Sequence, residues 1–397
     1  MIELGLLEKF PNSRLLQATP SRTVFSEGSL KVKIYNAFES PARAQVLLFP
    51  SLINRPYILD LGRGRSLIQA LVKSGVEVVL FDWGSPGPEE KDLGLAALLE
   101  NRIPAALTAV HAFSEFDEAD PRPRTIMGHC LGGNLALLFA AAVKKRVSPL
   151  RLDRIVCLTT PIDTANHALI NTWFQIPQWN PEKFARSFET IPWPLMQLSF
   201  LLLRPTVTPR RWIQFAGRFL ERDYRDAWLQ LEIWSNDNVS FPSELFKSLL
   251  IPMYRDNAMV SQTCAVFAIN DLDLPIFSIA STDDHLVPIS SSSAIRSAVP
   301  KSSHEFFEVG GGHIGAVLSK KSREKIWPSM IDFILRPAVT SSDSTKRAYR
   351  IDQELRANPF RKSAATDGEA LTPVAAPDLL ISAGNLGARR SSAPVQT

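Results

Sequence analysis

The stretch Arg124-Thr125-Ile126-Met127-Gly128-His129-Cys130-Leu131-Gly132 decides the fold of this chain. Its apolar start is typical of a buried strand, and residues 133–143 that follow are typical of a helix. Between them, Gly-His-Cys-Leu-Gly has the spacing of the G-x-S-x-G turn that carries a nucleophile, with cysteine in the place of serine. Such a turn is sharp and strained, and side chains two residues to either side of Cys130 would collide with the neighbouring strand and helix. The pattern predicts a nucleophilic Cys130, whereas the same residue in an ordinary Gly-rich turn would be a buried, inert thiol.

Sulfur at this position favours one kind of chemistry. A thiolate attacks thioesters readily, and the acyl-enzyme that it forms is itself a thioester. That intermediate stays activated for transfer to an alcohol, whereas an acyl-serine would already be an ordinary ester. The cysteine therefore indicates acyl transfer.

The composition is that of an ordinary globular protein. The chain has 397 residues, of which 45% are hydrophobic and 21% charged, with a formal net charge of +4. This length is ample for a large core. Lysine and arginine do not form blocks, so nucleic-acid binding is not indicated, although a mildly basic protein suits an anionic substrate such as a coenzyme A thioester.

Cysteine usage and hydropathy indicate the compartment. Cys130, Cys157 and Cys264 are too few and too scattered for a disulfide framework or a CxxC metal site, and Cys157 lies in an apolar run typical of core. Residues 1–17 show no signal peptide, and no apolar run reaches about 18 residues, so we expect no transmembrane helix. We therefore expect a reduced, cytoplasmic setting, with no metal or other cofactor.

Apolar runs and helical faces alternate along the chain, which predicts an α/β fold with a mostly parallel sheet and helices on both faces. Strands are predicted at 24–35, 45–49, 76–83, 124–127, 154–158, 275–280 and 305–309, and helices at 66–74, 96–116 and 133–143.

Composition also divides the chain into segments. Residues 163–270 are helix-rich and hold six of the eight tryptophans, which predicts an inserted cap, either a lid over the nucleophile or simply a helical subdomain with its own core. Residues 338–397 are rich in Ser, Ala, Pro, Gly and Arg, which predicts a disordered tail. The predicted segments are an irregular start at 1–21, a core at 22–162, the cap at 163–270, a second core part at 271–337 and the tail at 338–397.

A cysteine nucleophile needs a base, and the base needs an orienting acid. With this kind of turn, the acid and then the histidine follow the nucleophile along the chain. The loop 281–288 (Ser-Thr-Asp-Asp-His-Leu-Val-Pro) and the loop 310–315 (Gly-Gly-Gly-His-Ile-Gly) each follow a predicted strand. Both loops therefore lie at strand ends on one edge of the sheet, where ligands bind in open α/β folds.

His313 is the expected base, because the surrounding glycines let its loop approach the turn at Cys130. Asp284 is the expected acid and is favoured over Asp283, because it directly precedes the His-Leu-Val-Pro turn. Asp163 and Asp82 also follow strands, but they are weaker rivals, more typical of turn or helix-cap residues.

Two other histidines lie next to these residues. His285 follows the expected acid and could line the site, although a structural role is favoured. His129 precedes the nucleophile, and we expect its side chain to point away from Cys130.

An oxyanion hole completes the predicted site. Its donors are expected to be the backbone N–H of Leu131 and one N–H from the loop 50–56 that follows the strand 45–49. Within that loop the candidates are Ile53, which we favour, and Leu52.

Together these segments resemble those of polyhydroxyalkanoate synthases, in order and across residues 22–335. Residues 50–61 resemble P-x-L-I-N-K/R-P-Y-I-L-D-L, 82–86 D/S-W-G-x-P, 128–133 G-x-C-x-G-G, 158–163 L-x-T-P-x-D, 284–288 D-H-x-V-P and 311–315 G-G-H-I-G. The chain departs from the usual pattern at His129, at Ser51 in place of the more usual proline, and in the length of its tail.

The resemblance implies an α/β-hydrolase fold with a cap, and polymerisation of (R)-3-hydroxyacyl-CoA into polyester with release of coenzyme A. By position it makes Cys130 the nucleophile, Asp284 the acid and His313 the base. By this resemblance we expect the chain to be without the long N-terminal domain of the one-subunit synthases. It is therefore more similar to the short catalytic subunit that works with a separate accessory subunit.

The expected partners are the acyl-CoA substrate, the growing polyester chain or its granule in the cytoplasm, and an accessory subunit, with a homodimer left open. Two alternatives differ in class. One is a cysteine-dependent hydrolase (a thioesterase or esterase) or small-molecule acyltransferase on the same fold, which would yield free product rather than polymer. The other is a non-catalytic granule-associated protein, against which the presence of Cys130, Asp284 and His313 argues.

Overall fold

An eight-stranded sheet organises the chain, with the strand order β1-β2-β4-β3-β5-β6-β7-β8. The computed structural model describes residues 19–62, 64–117, 120–145, 150–165, 174, 176, 178–203, 215–263 and 267–337. The strands of the sheet are β1 (Arg22–Glu27), β2 (Leu30–Tyr35), β3 (Ala44–Phe49), β4 (Val76–Asp82), β5 (Arg124–His129), β6 (Arg154–Leu158), β7 (Ile276–Ser281) and β8 (His304–Val309).

The sheet is mostly parallel, as predicted. Only β1 against β2 and β2 against β4 pair antiparallel, while all the other neighbours in the sheet are parallel. The carboxyl ends of β3, β5, β7 and β8 therefore lie at one edge, and the loops that carry the predicted site residues leave from that edge.

The strands β3 to β7 are buried along nearly their whole length. Their near-continuous apolar sequences are explained by helices on both faces, because a parallel sheet needs cover on each side. One apolar core contains α3 and α4 residues, and the other contains α1 and α14 residues. The α-helices are α1 (Leu67–Lys73), α2 (Leu95–Ala97), α3 (Ile103–His111), α4 (Leu131–Lys144), α5 (Pro181–Arg186), α6 (Trp193–Leu203), α7 (Arg222–Ser235), α8 (Ser243–Leu245), α9 (Ile251–Asp256), α10 (Ala258–Ser261), α11 (Ile289–Ser293), α12 (Ile295–Ala298), α13 (Gly312–Leu318) and α14 (Trp327–Leu335).

Short elements complete the described part of the chain. Two pairs of short strands lie outside the main sheet, and two 3₁₀ turns and three π turns lie beside the helices. The strand pairs are Asp60–Leu61 with Arg65–Ser66 and Thr190–Ile191 with Phe241–Pro242, the 3₁₀ turns are Pro56–Leu59 and Pro88–Glu90, and the π turns are Leu98–Arg102, Phe246–Leu250 and Ser322–Ile326.

Each π turn is followed by a proline at the second position of the next helix, namely Pro104, Pro252 and Pro328. Proline has no N–H to donate to the carbonyl four residues back, so the helical ladder is interrupted there and the turn widens. This interruption also explains one difference from expectation. The predicted helix over 96–116 is divided by a π turn, and its last part ends at His111.

A second difference concerns the first strand. The stretch predicted as one strand over 24–35 contains most of two strands that form a hairpin, in which Leu30–Tyr35 pairs antiparallel with Arg22–Glu27. Gly28 makes the turn with φ of +56°, in the left-handed region that favours glycine.

The helices α5 to α10 all lie between β6 and β7, where the cap is predicted. The bounds 163–270 stay a prediction. Trp173, Trp212 and Cys264 lie outside the described residues, as do the predicted tail and all but the last three residues of the predicted N-terminal segment. Among the described helices, none combines the length and apolar character needed to cross a membrane.

Candidate active site

Cys130 occupies the sharp turn between β5 and α4, as its sequence context predicts. Its φ of +54° and ψ of −126° are conformations that a non-glycine residue adopts only when the surrounding fold enforces them. The backbone N–H of Cys130 donates to the carbonyl of Leu158 at 2.9 Å, which ties the turn to the end of β6. The thiol is free and half-buried, so the sulfur is held in a fixed place at the edge of the sheet without being sealed in the core.

The glycines around Cys130 are required by close packing. A Cβ atom at Gly128 would lie 2.3 Å from the Cα of Gly133, and one at Gly132 would lie 2.1 Å from the carbonyl oxygen of Phe49. At Gly133 it would lie 1.9 Å from Oγ1 of Thr160. The expectation that side chains would collide here is confirmed.

Asp284 and His313 form a direct hydrogen bond. Nδ1 of His313 lies 2.6 Å from Oδ2 of Asp284, and the other carboxylate oxygen accepts the backbone N–H groups of Leu286 and Val287 at 2.8 and 3.0 Å. Burial acts to raise the pKa of Asp284, but the hydrogen bond and charge of His313, with these two N–H groups, outweigh it and lower the pKa. Asp284 is therefore a buried, ionised acceptor that fixes the ring of His313.

The side chain of Cys130 lies within electrostatic reach of the ring of His313. Burial acts to lower the pKa of His313, but the negative charge of Cys130 and the hydrogen bond and charge of Asp284 raise it above its ordinary value. The thiolate is the nucleophilic form of cysteine, and a histidine oriented by a carboxylate is a general base suited to form it. The structure thus places the three predicted residues at the same edge of the sheet, and their catalytic roles stay a prediction.

The rival acids have other partners. Asp283 is exposed, and its Oδ2 accepts the N–H of Gly311 at 2.9 Å, so it shapes the loop that carries His313. Asp163 accepts the N–H of Ala165 and the side chain of Asn257, and Asp82 pairs with Lys33 and accepts the N–H of Gly84. The bonds from the N–H groups of Ala165 and Gly84 are turn contacts of the kind that the sequence positions of Asp163 and Asp82 indicate.

His129 packs beside His313, a contact that the sequence did not indicate, while the expected direction of its side chain relative to Cys130 stays a prediction. Its ring is buried beside that of His313, with 5.6 Å between the ring centroids, and neither ring nitrogen has a hydrogen-bond partner. Burial and the positive charge of His313 lower the pKa of His129 to about 3, so the ring is neutral at physiological pH. His285, in contrast, is exposed.

The predicted oxyanion-hole residues lie on two segments that touch. Leu131 begins α4, and its N–H belongs to the first turn, where helical N–H groups have no acceptor within the helix. The loop after β3 approaches this turn where Gly132 packs against the backbone of Phe49 and Pro50. Nε1 of Trp83 donates to the Pro50 carbonyl at 3.0 Å and anchors the start of the loop. The roles of Leu131 and Ile53 stay predictions.

The chain matches the model of a known family. The family model described as the alpha/beta hydrolase fold matches residues 46–318, which is more than half of the chain. The chain belongs to the α/β-hydrolase fold family.

The curated relatives of this α/β-hydrolase bear out the resemblance drawn from its motifs. It is 26% identical to the poly(3-hydroxyalkanoate) polymerase subunit PhaC of Haloferax mediterranei over 82% of this chain and 66% of that protein. It is 25% identical to the subunit of the same name from Thiocystis violacea over 79% of this chain and 87% of that protein. Among solved structures, a soluble variant of the monoglyceride lipase of Saccharomyces cerevisiae is 15% identical with a TM-score of 0.49, and covers 82% of this chain and 99% of its own.

The α/β-hydrolase also has a residue near the nucleophile that the sequence did not single out. Tyr254, in α9, is half-buried and packs on the ring of Phe174, with 5.6 Å between the ring centroids. Burial and the negative charge of Cys130 both raise the pKa of Tyr254, which places its phenol in the electrostatic reach of the sulfur. Only the fold could show this, because Tyr254 follows Cys130 by more than a hundred residues without a motif of its own.

Proposed function

We propose that this α/β-hydrolase is a polyhydroxyalkanoate synthase that polymerises (R)-3-hydroxyacyl-CoA through an acyl-Cys130 intermediate. The observation that carries the proposal is the strained turn at Cys130 with the hydrogen-bonded pair of Asp284 and His313 beside it. The names of the curated relatives support the substrate class. Among the described residues, no group of side chains suited to hold a metal ion lies near Cys130 or elsewhere.

In the acylation step, the Cys130 thiolate attacks the thioester carbonyl of the substrate. A bond forms between Sγ and the acyl carbon, and the carbon–sulfur bond to coenzyme A breaks. The N–H groups of Leu131 and Ile53 hold the developing oxyanion, and the His313 imidazolium gives its proton to the departing thiolate.

In the transfer step, neutral His313 takes the proton of a 3-hydroxyl group on another acyl unit. The hydroxyl oxygen attacks the acyl carbon, and the bond between that carbon and Sγ breaks. The products are a new ester bond and the Cys130 thiolate beside His313 imidazolium, so the pair is restored for the next cycle. Asp284 stays ionised throughout and holds the ring of His313 in place.

Water must be kept from the acyl-enzyme, because hydrolysis would compete with transfer. The segment between β6 and β7 supplies four aromatic residues that belong to or pack against the same large apolar cluster as Cys130, namely Phe174, Phe184, Phe246 and Tyr254. We propose that this insertion acts as a lid. We also propose that the chain works in the cytoplasm at the surface of polyester granules, with an accessory subunit.

The test is to incubate the purified chain with (R)-3-hydroxybutyryl-CoA, alone and with a candidate accessory subunit. Released thiol and insoluble polyester are measured in the same tube. We expect both products, and we expect Cys130→Ala to give neither while keeping its fold. Thiol with free 3-hydroxybutyrate would instead identify a thioesterase, and undiminished turnover by Cys130→Ala would overturn the mechanism.

A further inference from the structure

A set of contacts joins the loop after β3 to a segment about 180 residues later in the chain. We call this set the clasp. It consists of Ile53, Asn54, Arg55 and Tyr57 on the loop, and of Trp234, Asp237, Asn238 and Val239 at the end of α7 and just after it.

Two kinds of bond hold the clasp. In the backbone, the N–H of Val239 donates to the carbonyl of Ile53 at 3.3 Å, and residues 54 and 238 form an isolated antiparallel bridge. Nε1 of Trp234 donates to the carbonyl of Arg55 at 2.8 Å. Between side chains, Nδ2 of Asn54 donates to Oδ1 of Asn238.

Asp237 is the charged centre of the clasp. Its carboxylate accepts the hydroxyl of Tyr57 at 3.0 Å and faces Nε of Arg55 at 3.5 Å. Burial and the charge of Asp237 raise the pKa of Tyr57, so the phenol keeps its proton and donates at all ordinary pH values. Asp237 is only 9% exposed, so removing its carboxylate would leave the Tyr57 hydroxyl without this acceptor.

The position of these bonds along the loop gives them a function. At the start of the loop, the Pro50 carbonyl is held by Trp83. Further along the loop, the N–H of Val239 fixes the peptide on the carboxyl side of Ile53, and Asp237 holds Tyr57. The N–H of Ile53 is the predicted second donor of the oxyanion hole, and its direction is set by the peptides on either side.

We infer that Asp237 is a positioning residue, which holds the oxyanion-binding loop in its active geometry from the predicted cap. This inference rests on the proposed function. A donor of an oxyanion hole acts only when it is aimed at the charge that develops in the transition state, and a misplacement of about 1 Å can cost about 100-fold in rate.

The test compares Asp237→Ala, Asp237→Asn and Tyr57→Phe with wild type in thiol release from (R)-3-hydroxybutyryl-CoA. We expect Asp237→Ala to lower kcat about 10- to 100-fold with little change in KM, because the loss is confined to the transition state. Asp237→Asn keeps an oxygen acceptor for Tyr57 and is expected to recover part of the loss. Tyr57→Phe combined with Asp237→Ala is expected to cost no more than Asp237→Ala alone.

Arg65→Ala is the matched control. Arg65 also bonds the core to α7, through the side chain of Gln230 at 3.4 Å and the carbonyl of Asp223 at 3.0 Å, but those bonds do not involve the loop 50–56. We expect kcat of Arg65→Ala within about threefold of wild type. A kcat of Asp237→Ala equal to that of Arg65→Ala would overturn the inference.

Two readouts separate this inference from the proposed function. Alkylation of Cys130 by iodoacetamide needs the thiolate but no oxyanion hole, so we expect its rate in Asp237→Ala to stay within about twofold of wild type. Hydrogen exchange at residues 51–57 does not depend on the substrate, and we expect it to be faster in Asp237→Ala than in Arg65→Ala. If wild type released no thiol, the proposed function would be wrong. Exchange at residues 51–57 that is no faster in Asp237→Ala than in Arg65→Ala would refute the role of Asp237, whatever the activity.

Discussion

His313 and Asp284 are joined by a hydrogen bond of 2.6 Å although 29 residues separate them in the chain. The parallel register of β7 and β8 explains this, because Ser281 pairs with Val309 at the ends of the two strands. Asp284 lies three residues beyond Ser281, and His313 lies four residues beyond Val309. Adjacent parallel strands of equal length therefore deliver the two side chains to the same point of the sheet edge.

Replacing Asp284 with Asn should disable the histidine without disturbing the fold. The amide keeps the shape of the carboxylate, but it loses the charge that holds the His313 ring in its tautomer and stabilises the imidazolium. We expect kcat for thiol release to fall about 10²- to 10⁴-fold, with far-UV circular dichroism unchanged.

Asp283→Asn is the control for that substitution. Asp283 is the neighbouring carboxylate, and its oxygen accepts the N–H of Gly311, a role that an amide oxygen can also fill. We expect its kcat to stay within about tenfold of wild type. A larger loss of kcat in Asp283→Asn than in Asp284→Asn would show that Asp283, and not Asp284, is the acid that orients His313.

Removing the sulfur should change the titration of His313. In wild type the charge of Cys130 is the largest of the influences that raise the pKa of this histidine, against the lowering effect of burial. Cys130→Ala removes that charge, so we expect the His313 ring to release its proton at a lower pH than in wild type. Heteronuclear NMR of labelled imidazoles measures both titrations, and an unchanged pKa would show that sulfur and ring do not interact.

The raised pKa of His313 also makes the stability of the fold depend on pH. A histidine whose pKa is higher in the folded than in the unfolded protein stabilises the fold fully below the unfolded value of about 6.5. That contribution is lost as the pH rises through the higher folded value. The stability of wild type relative to Cys130→Ala should therefore fall on raising the pH through this window, as urea denaturation would measure.

The sequence predicted those features that are local or that follow from strand order. The strands ending before Cys130, Asp284 and His313 are marked by short apolar runs, and a parallel sheet gathers the ends of such strands at one edge. The glycines beside Cys130 were predicted from the narrowness of the turn alone, and the contacts of Gly128, Gly132 and Gly133 agree with that reason.

Contacts between distant segments without a motif were not predicted. Tyr254 and Asp237 lie in the region between β6 and β7, where helical periodicity gives the buried face of a helix but not its partner across the fold. The packing of His129 on His313 was missed for a related reason. Alternation along β5 gives the face of the sheet on which a side chain lies, but not which loop covers that face.

Adding one methyl group at Gly132 should destabilise the fold. The new Cβ would lie 2.1 Å from the carbonyl oxygen of Phe49, a backbone atom that cannot move aside without breaking the contact of the turn with β3. We expect Gly132→Ala to lower the free energy of unfolding by about 3 kcal/mol or more, measured by urea denaturation.

Gly315→Ala provides the comparison for Gly132→Ala. Gly315 lies inside α13, where an added Cβ would meet nothing within 4 Å. Because alanine favours a helix over glycine, we expect no loss and a gain of up to about 1 kcal/mol. Equal losses in the two variants would show that the turn at Cys130 is not closely packed.

His129 should make the protein sensitive to acid. Its pKa of about 3 in the fold is far below the ordinary value of 6.5, so below pH 6.5 the unfolded chain binds a proton that the folded chain does not. Stability therefore falls as the pH drops from 6.5 towards 3, and His129 accounts for about 2 kcal/mol of loss at pH 5.

His129→Phe keeps a ring of similar size beside His313 and removes the titratable group, together with two ring nitrogens that have no hydrogen-bond partner. We expect its free energy of unfolding to fall less steeply than that of wild type between pH 7 and pH 5, in urea denaturation series at matched ionic strength. His285→Gln removes an exposed histidine and serves as the control for losing such a group at the surface. If wild type and His129→Phe lost stability in parallel over this range, the buried ring would not be the source of the acid sensitivity, and the neutral state assigned to His129 beside His313 would be wrong.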